Sequence, residues 1–264
     1  MNAQITSIYG LKTPYFRAST ALYLETKYAF LRAWRNPAFC LPTLLFPSMF
    51  FVLFGIVLSK GKVDVSSYTL ATYLVFGVMG PGLFGFGMSV ALDREQGLLK
   101  WRRAMPAPAF AYFASKVLMA MLFAVIIFAE LGLIASLFAG VRMGVSQWLQ
   151  LLVLAVLVSV PFCALGLLIG TLVGGQAAPA IINFIYLPMS FLSGLWIPAQ
   201  FLPAFLREVI GIWPSYHAAQ LALSITTKQT LSVVQFFTHF GFLLCFTLLM
   251  FGLATLFWRK MELR

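Results

Sequence analysis

Seven acidic residues and two histidines are the acid–base inventory of this 264-residue chain. Among the acids, Glu130 stands out because it sits well inside a long apolar run. An ionisable residue at such a depth is a functional candidate by default. Protonated, it can hydrogen-bond a neighbouring helix; ionised, it can meet a cationic substrate or a proton. Near the outer end of a tilted helix it would instead reach for headgroups or water. Asn183, in a later apolar run, either lines a pathway or joins helices. Lys116 starts the same run as Glu130 and is expected to snorkel to the membrane boundary. His239 is expected at the interface and His217 in a segment outside the runs; neither has a His or Cys partner at metal-ligand spacing. Cys40, Cys163 and Cys245 all lie in apolar runs, so no disulfide or metal framework is expected. G-x-S-x-G, H-E-x-x-H and C-x-x-C are absent, and no catalytic residue is predicted. G-x-x-x-x-G-K-[ST] is absent too, leaving no recognisable site for ATP phosphates.

These residues must be positioned by elements that live in lipid. Apolar residues make up 61% of the chain and charged residues 9%, whereas soluble domains are about 25% charged. The net charge is +11. Basic residues flank the apolar runs rather than forming one patch, which argues against nucleic acid and for the positive-inside bias. Residues 1–37 hold no leading apolar region with a small-residue cleavage site, so no cleavable signal peptide is expected.

Six spans are predicted, at about 38–58, 68–92, 110–138, 147–173, 178–195 and 236–257, each near the roughly 20 residues a crossing needs. Pro42 and Pro47 should kink the first. Gly77, Gly80, Gly82, Gly85 and Gly87 in the second permit close helix approach or local kinking near Pro81. A β-barrel would show alternating segments of about ten residues, which the continuous runs exclude. Residues 18–35 read as an amphipathic helix with Leu24, Tyr28 and Leu31 on one face. Glu25, Thr26 and Arg32 lie opposite, among alanines. Such a helix suits the membrane interface or a partner protein. Of the 18 Lys and Arg, 13 fall before the first span, in 93–116 or in the tail. The other five are Lys60, Lys62, Arg142, Arg207 and Lys228. Both ends are therefore expected in the cytoplasm, with an even number of crossings.

Two stretches carry a family likeness. The charged segment from Asp93 to Pro108 resembles the R-E-x-G-T-L-x-x-L-x-x-x-P pattern after the second span of ABC-2 type permeases, the membrane subunits of ABC exporters. Arg94, Glu95, Gly97, Leu99 and Pro106 match; Leu98 and Arg102 depart from it. The segment Ser193–Pro203, running on to Pro214 and Tyr216, is similar to the family's s-G-x-x-x-P-x-x-x-L-P … P-x-x-y pattern. The leading amphipathic helix and the six spans fit as well, so the likeness covers nearly the whole of 1–264 as a single transmembrane domain.

The resemblance implies a permease, not an enzyme, in a bacterial inner membrane. It implies a homodimer working with separate ATP-binding subunits, which would carry the ATP and magnesium. Residues 94–104 would form a coupling helix against the ATPase, with Arg94, Glu95, Gly97, Leu99, Lys100, Arg102 and Arg103 as contacts. Residues 196–216 would re-enter the outer leaflet, shaped by Gly194, Pro198, Pro203, Pro214 and Tyr216. Glu130 and Asn183 are the pathway candidates. The cargo expected is hydrophobic or amphipathic: a drug, a lipid or a lipid-linked glycan. The competing readings are an ATPase-independent secondary transporter and a membrane scaffold or assembly protein. The first would want more intramembrane carboxylates and repeated halves; an intramembrane enzyme would want clustered polar groups at one depth.

Overall fold

The structure is a computed structural model and describes residues 18–99, 101, 109–227 and 229–262. Lys100, Arg102, Arg103, Pro106 and Pro108 of the expected coupling region lie outside them, as does Lys228. The described residues are helical or in turns and loops, with no strand. That is the outcome lipid enforces, because a helix satisfies its own backbone hydrogen bonds.

In chain order the helices are α1 (Ala18–Trp34), α2 (Pro37–Val57), α3 (Val63–Glu95), α4 (Ala109–Phe138), α5 (Val145–Leu172), α6 (Ala178–Leu192), α7 (Ala204–Val209), α8 (Pro214–Thr226) and α9 (Val233–Glu262). Five of them, α2, α3, α4, α5 and α9, are long and apolar enough to cross a membrane. The expected fifth span is the shorter α6, 15 residues, which reaches about 22 Å at 1.5 Å per residue.

The central helix is α3. In its most apolar window 78% of residues are buried, against 17% for α9. Glycine is why α3 can sit so deep. A Cβ on Gly166 of α5 would lie 2.4 Å from the Gly82 carbonyl oxygen of α3, and one on Gly170 2.5 Å from that of Gly87. The two backbones touch at a G-x-x-x-G pair. Kinking near Pro81 occurs in the same place, because residues Pro81–Met88 form a wider π turn. Pro81 has no N–H for the preceding turn, and the Tyr186 hydroxyl of α6 donates to the Phe76 carbonyl there at 3.1 Å. Pro42 and Pro47 lie within α2, which widens into a second π segment at Phe51–Val57.

The segment 196–212 is built of short pieces: 3-10 turns at Ala199–Phe201 and Ile210–Ile212 flank α7. Each of its prolines precedes or opens a helix: Pro198 and Pro203 are N-caps, and Pro214 is the first residue of α8. That is where a fixed φ and a missing N–H cost nothing. Helix α8 is the element the sequence reading left unassigned. Its Ala218, Ala219, Ala222 and Leu223 are buried, and it packs on α3, α5 and α9.

Candidate functional site

The charged end of α3 is a junction. Asp93 is buried, and its carboxylate takes three partners from two other helices. Arg32 of α1 pairs with Oδ1 at 2.9 Å, Tyr112 of α4 donates to Oδ2 at 2.8 Å, and Lys116 of α4 lies 3.8 Å from Oδ2. Lys116 therefore does not snorkel as expected. Its side chain is only 6% exposed, and a buried ammonium stays only where a carboxylate offsets its desolvation. Its Nζ also stands 5.3 Å from the Tyr112 ring centre.

Next to Asp93, Arg94 turns the other way. Its guanidinium donates to the Thr171 carbonyl and, at 2.8 Å, to the Val173 carbonyl. These lie at the C-terminal end of α5, where carbonyls lack intrahelical partners and the helix dipole is negative. Asp93 and Arg94 thus fasten α3 to α1, α4 and α5 within two residues. Glu95 is exposed. Its carboxylate overhangs the turn after α5: a Cβ on Gly175 would sit 2.6 Å from Oε2 and 3.1 Å from the Leu92 Cα. Gly97 has φ +72°, a conformation glycine adopts freely, and it turns the chain out of α3. Leu98, Leu99 and Trp101 are helical, and Leu99 packs against the cluster around Tyr112 and Ala254.

Helix α1 lies on α4 through its small residues. Ala29, Phe30 and Ala33 pack at the Phe39–Phe123 cluster, while Tyr23 and Tyr28 are exposed. The alanine side with Arg32 thus meets the protein, and the face with Tyr28 is left outward.

A groove of about 460 Å³ runs between α2, α3 and α6. It extends from Asn36 and Met88 at the charged end to Trp196 at the other, with Phe46, Phe50, Phe76, Phe84 and Tyr186 in its walls. Asn183 lines it. The Trp196 indole N–H is buried and has no hydrogen-bond partner among the described residues. The groove thus presents aromatic faces together with the amides of Asn36 and Asn183, a surface for an amphipathic molecule.

Glu130 stands elsewhere. Its Oε1 accepts a 2.6 Å hydrogen bond from the Ser48 hydroxyl, joining α4 to α2. Gly194 has φ +80°, and its carbonyl accepts from the Tyr68 hydroxyl of α3 at 3.2 Å. The 196–212 segment is thereby tied to the central helix. Tyr216 borders a histidine pair: the Nδ1 atoms of His217 and His239 are 2.8 Å apart. His217 Nε2 lies 2.8 Å from the Gly211 carbonyl, which can only accept. That nitrogen therefore carries hydrogen, and in the neutral pair His239 donates to His217. The ring of His217 stacks on Phe242, centres 3.9 Å apart. No group of three or more metal-ligating side chains occurs among the described residues.

The described residues thus form a bundle of long apolar helices with a fastened charged end and an aromatic groove. The chain belongs to the ABC-2 type transporter family, whose sequence pattern matches residues 20–227. It is similar to a protein of Bacillus subtilis (strain 168) described as a transport permease, YvfS. The two are 27% identical over 190 residues, 70% of this chain and 77% of that protein. It is likewise similar to ycf38 of Porphyra purpurea, also described as a transport permease. There the identity is 29% over 205 residues, covering 72% and 68%. The chain is a multi-pass membrane protein and a transport permease, and permeases of this family generally work with an ATP-binding subunit.

Proposed function

We propose that the chain is one half of an ATP-driven exporter that carries a hydrophobic or amphipathic cargo out of the cytoplasm. On this reading it crosses a bacterial inner membrane six times, α6 making the fifth crossing, with both ends inside. The 13-to-5 division of basic residues supports that orientation. Residues 196–216 re-enter the outer leaflet. The outward face of α1, with Tyr23 and Tyr28, rests on lipid headgroups. ATP and magnesium act on a separate ATP-binding subunit, in keeping with the lack of a G-x-x-x-x-G-K-[ST] motif in this sequence.

The observation that carries the reading is the fastening of α3 through Asp93 and Arg94. The segment expected to meet the ATPase begins directly after them. A push on it reaches α4 through buried contacts of Asp93 with Tyr112 and Lys116, and α5 and α1 through the part-buried contacts of Arg94 and Arg32. The other end of the lever is α3's own wall of the groove. Lys100, Arg102 and Arg103 are assigned to the ATPase contact with Glu95, Gly97 and Leu99. Arg94 is assigned to holding α5.

The groove forms half of the pathway, with Asn183 as a polar contact for cargo and the Trp196 ring in its wall. Beside it α2 and α6 expose Leu45, Met49, Phe184 and Leu187, an apolar border that a second copy would cover, making a homodimer.

The test is charge reversal of the coupling segment. In proteoliposomes containing the permease and its ATPase, Glu95→Arg with Arg102→Glu should abolish ATP-dependent transport while leaving insertion and Tm unchanged. Transport that survives both changes overturns the coupling assignment. Asn183→Leu and Trp196→Phe should weaken cargo-stimulated ATPase activity without touching basal hydrolysis.

A further inference from the structure

A second and larger cavity, about 1080 Å³, opens between α5, α8 and α9. It lies away from the groove with Asn183. Its lining is graded. Ser146, Gln150 and Ser224 stand towards one end, where α5 begins and α8 finishes. The Gln147 side chain closes that end on the α8 side, donating to the Ile225 carbonyl at 3.2 Å. Farther in, the walls are Val153, Leu157, Pro161, Leu243 and Leu244. The one polar residue there, Thr247, spends its hydroxyl on the Leu243 carbonyl at 2.6 Å.

From Val145 to Pro161 the cleft follows α5 for about 24 Å. One leaflet of hydrocarbon is about 15 Å deep, half of a core of about 30 Å. The cleft is therefore long enough to take a whole acyl chain. Arg142 lies three residues before Val145, in the loop that leads into α5; it is close in sequence to the polar end of the cleft but is not among the residues that line it. It is exposed and makes no ion pair among the described residues. A chain of net charge +11 offers little to neutralise it, whereas a phosphate would.

We propose that this cleft holds a resident anionic phospholipid, its tails along α5 and α9 and its phosphate on Arg142. The polar-to-apolar gradient fixes the direction, headgroup towards Arg142. A second copy of the chain would bring no matching anion in excess and would leave Arg142 unanswered. On the orientation proposed above the lipid belongs to the outer leaflet. Its binding depends neither on that orientation nor on ATP coupling.

The experiment uses the full chain reconstituted in vesicles of equal parts phosphatidylcholine and phosphatidylglycerol, then released for native mass spectrometry. The wild type should retain phospholipid, enriched in phosphatidylglycerol. Val153→Trp and Leu157→Trp fill the cleft from exposed positions at two depths, and should each cut the retained fraction about tenfold. Arg142→Gln should keep lipid but lower the phosphatidylglycerol preference by about tenfold, the weight of one charge-assisted hydrogen bond. Arg142→Lys should restore it. Unchanged lipid retention in a tryptophan variant with wild-type Tm overturns the proposal. So does a cleft that carries only detergent, or tryptophan variants that shift the oligomeric state while lipid retention stays constant. A defect in transport with lipid retention intact would count against the exporter mechanism and leave the lipid site standing.

Discussion

Asp93 holds more of the charged end together than any other single side chain. Removing its charge takes away the carboxylate that lies 3.8 Å from the buried Lys116, and breaking such a buried pair costs about 3 kcal/mol. Arg32 adds little, because its side chain is half exposed and water screens it. Asp93→Asn should therefore lower Tm in detergent, and Asp93→Asn with Lys116→Met should recover most of the loss. Failure of the double variant to recover would show that the Tyr112 hydrogen bond dominates. His217 lies between α7 and α9, outside the long spans, and burial holds its pKa below the ordinary value. Folded protein then binds protons less readily than unfolded chain. Its contribution to stability is present above about pH 6.5 and is lost as pH falls below it. Tm should drop between pH 7.5 and 5.5 (assay conditions), and the drop should shrink in His217→Gln. Little of this was legible in the sequence. The Arg94, Glu95 and Gly97 pattern drew attention to the end of α3, where Asp93 and Arg94 make their contacts. The partners did not, because Arg32 is 61 positions from Asp93 and Arg94 is 77 from Thr171. Only folding brings them together. For the same reason Lys116 read as a boundary lysine: nothing local announces a buried carboxylate.

At the scale of elements, the crossing of α3 and α5 sets the architecture. An alanine at Gly166 would press a methyl against the Gly82 backbone, which cannot swing aside as a side chain does. Gly166→Ala should cost roughly 1–3 kcal/mol, the usual range for overpacking. Gly252 of α9 is the control, since a Cβ there meets nothing within 4 Å. Gly252→Ala should be neutral or slightly stabilising, because glycine is a poor helix former. Thermal melts of the two variants in one detergent make the comparison. If both are neutral, the close approach carries no energetic weight. Long apolar runs announced their helices plainly, and α2, α3, α4, α5 and α9 lie within a few residues of where hydropathy put them. Glycine spacing announced close packing but gave no partner. Helix α8 was hidden because its buried residues mix Ala218, Ala219 and Ala222 with Pro214, Ser215, His217 and Thr226, which raise no strong hydropathy signal beside three prolines.

At the scale of the whole molecule, the apolar border around the groove is the exposed feature with the largest consequence. If two copies close one pathway, cysteines placed at Leu45 and Phe184 in a chain lacking Cys40, Cys163 and Cys245 should cross-link between copies in the membrane. The same cysteines should be protected when cargo is bound. Cross-linking at Val153 instead, on the far side of the bundle, would place the dimer face at the α5–α9 cleft and overturn both the pathway and the lipid assignments.

The 15 residues of α6 have one more consequence. If α6 makes the proposed fifth crossing, its length of about 22 Å against about 30 Å of hydrocarbon draws the bilayer inward on that flank, or tilts its neighbours to hide the mismatch. On the proposed pathway, the barrier that cargo must cross is then thinnest beside Asn183. Transport should consequently depend on membrane thickness, fastest in short-chain phosphatidylcholines and slower as acyl chains lengthen. Lengthening α6 by one turn should move that optimum towards thicker bilayers.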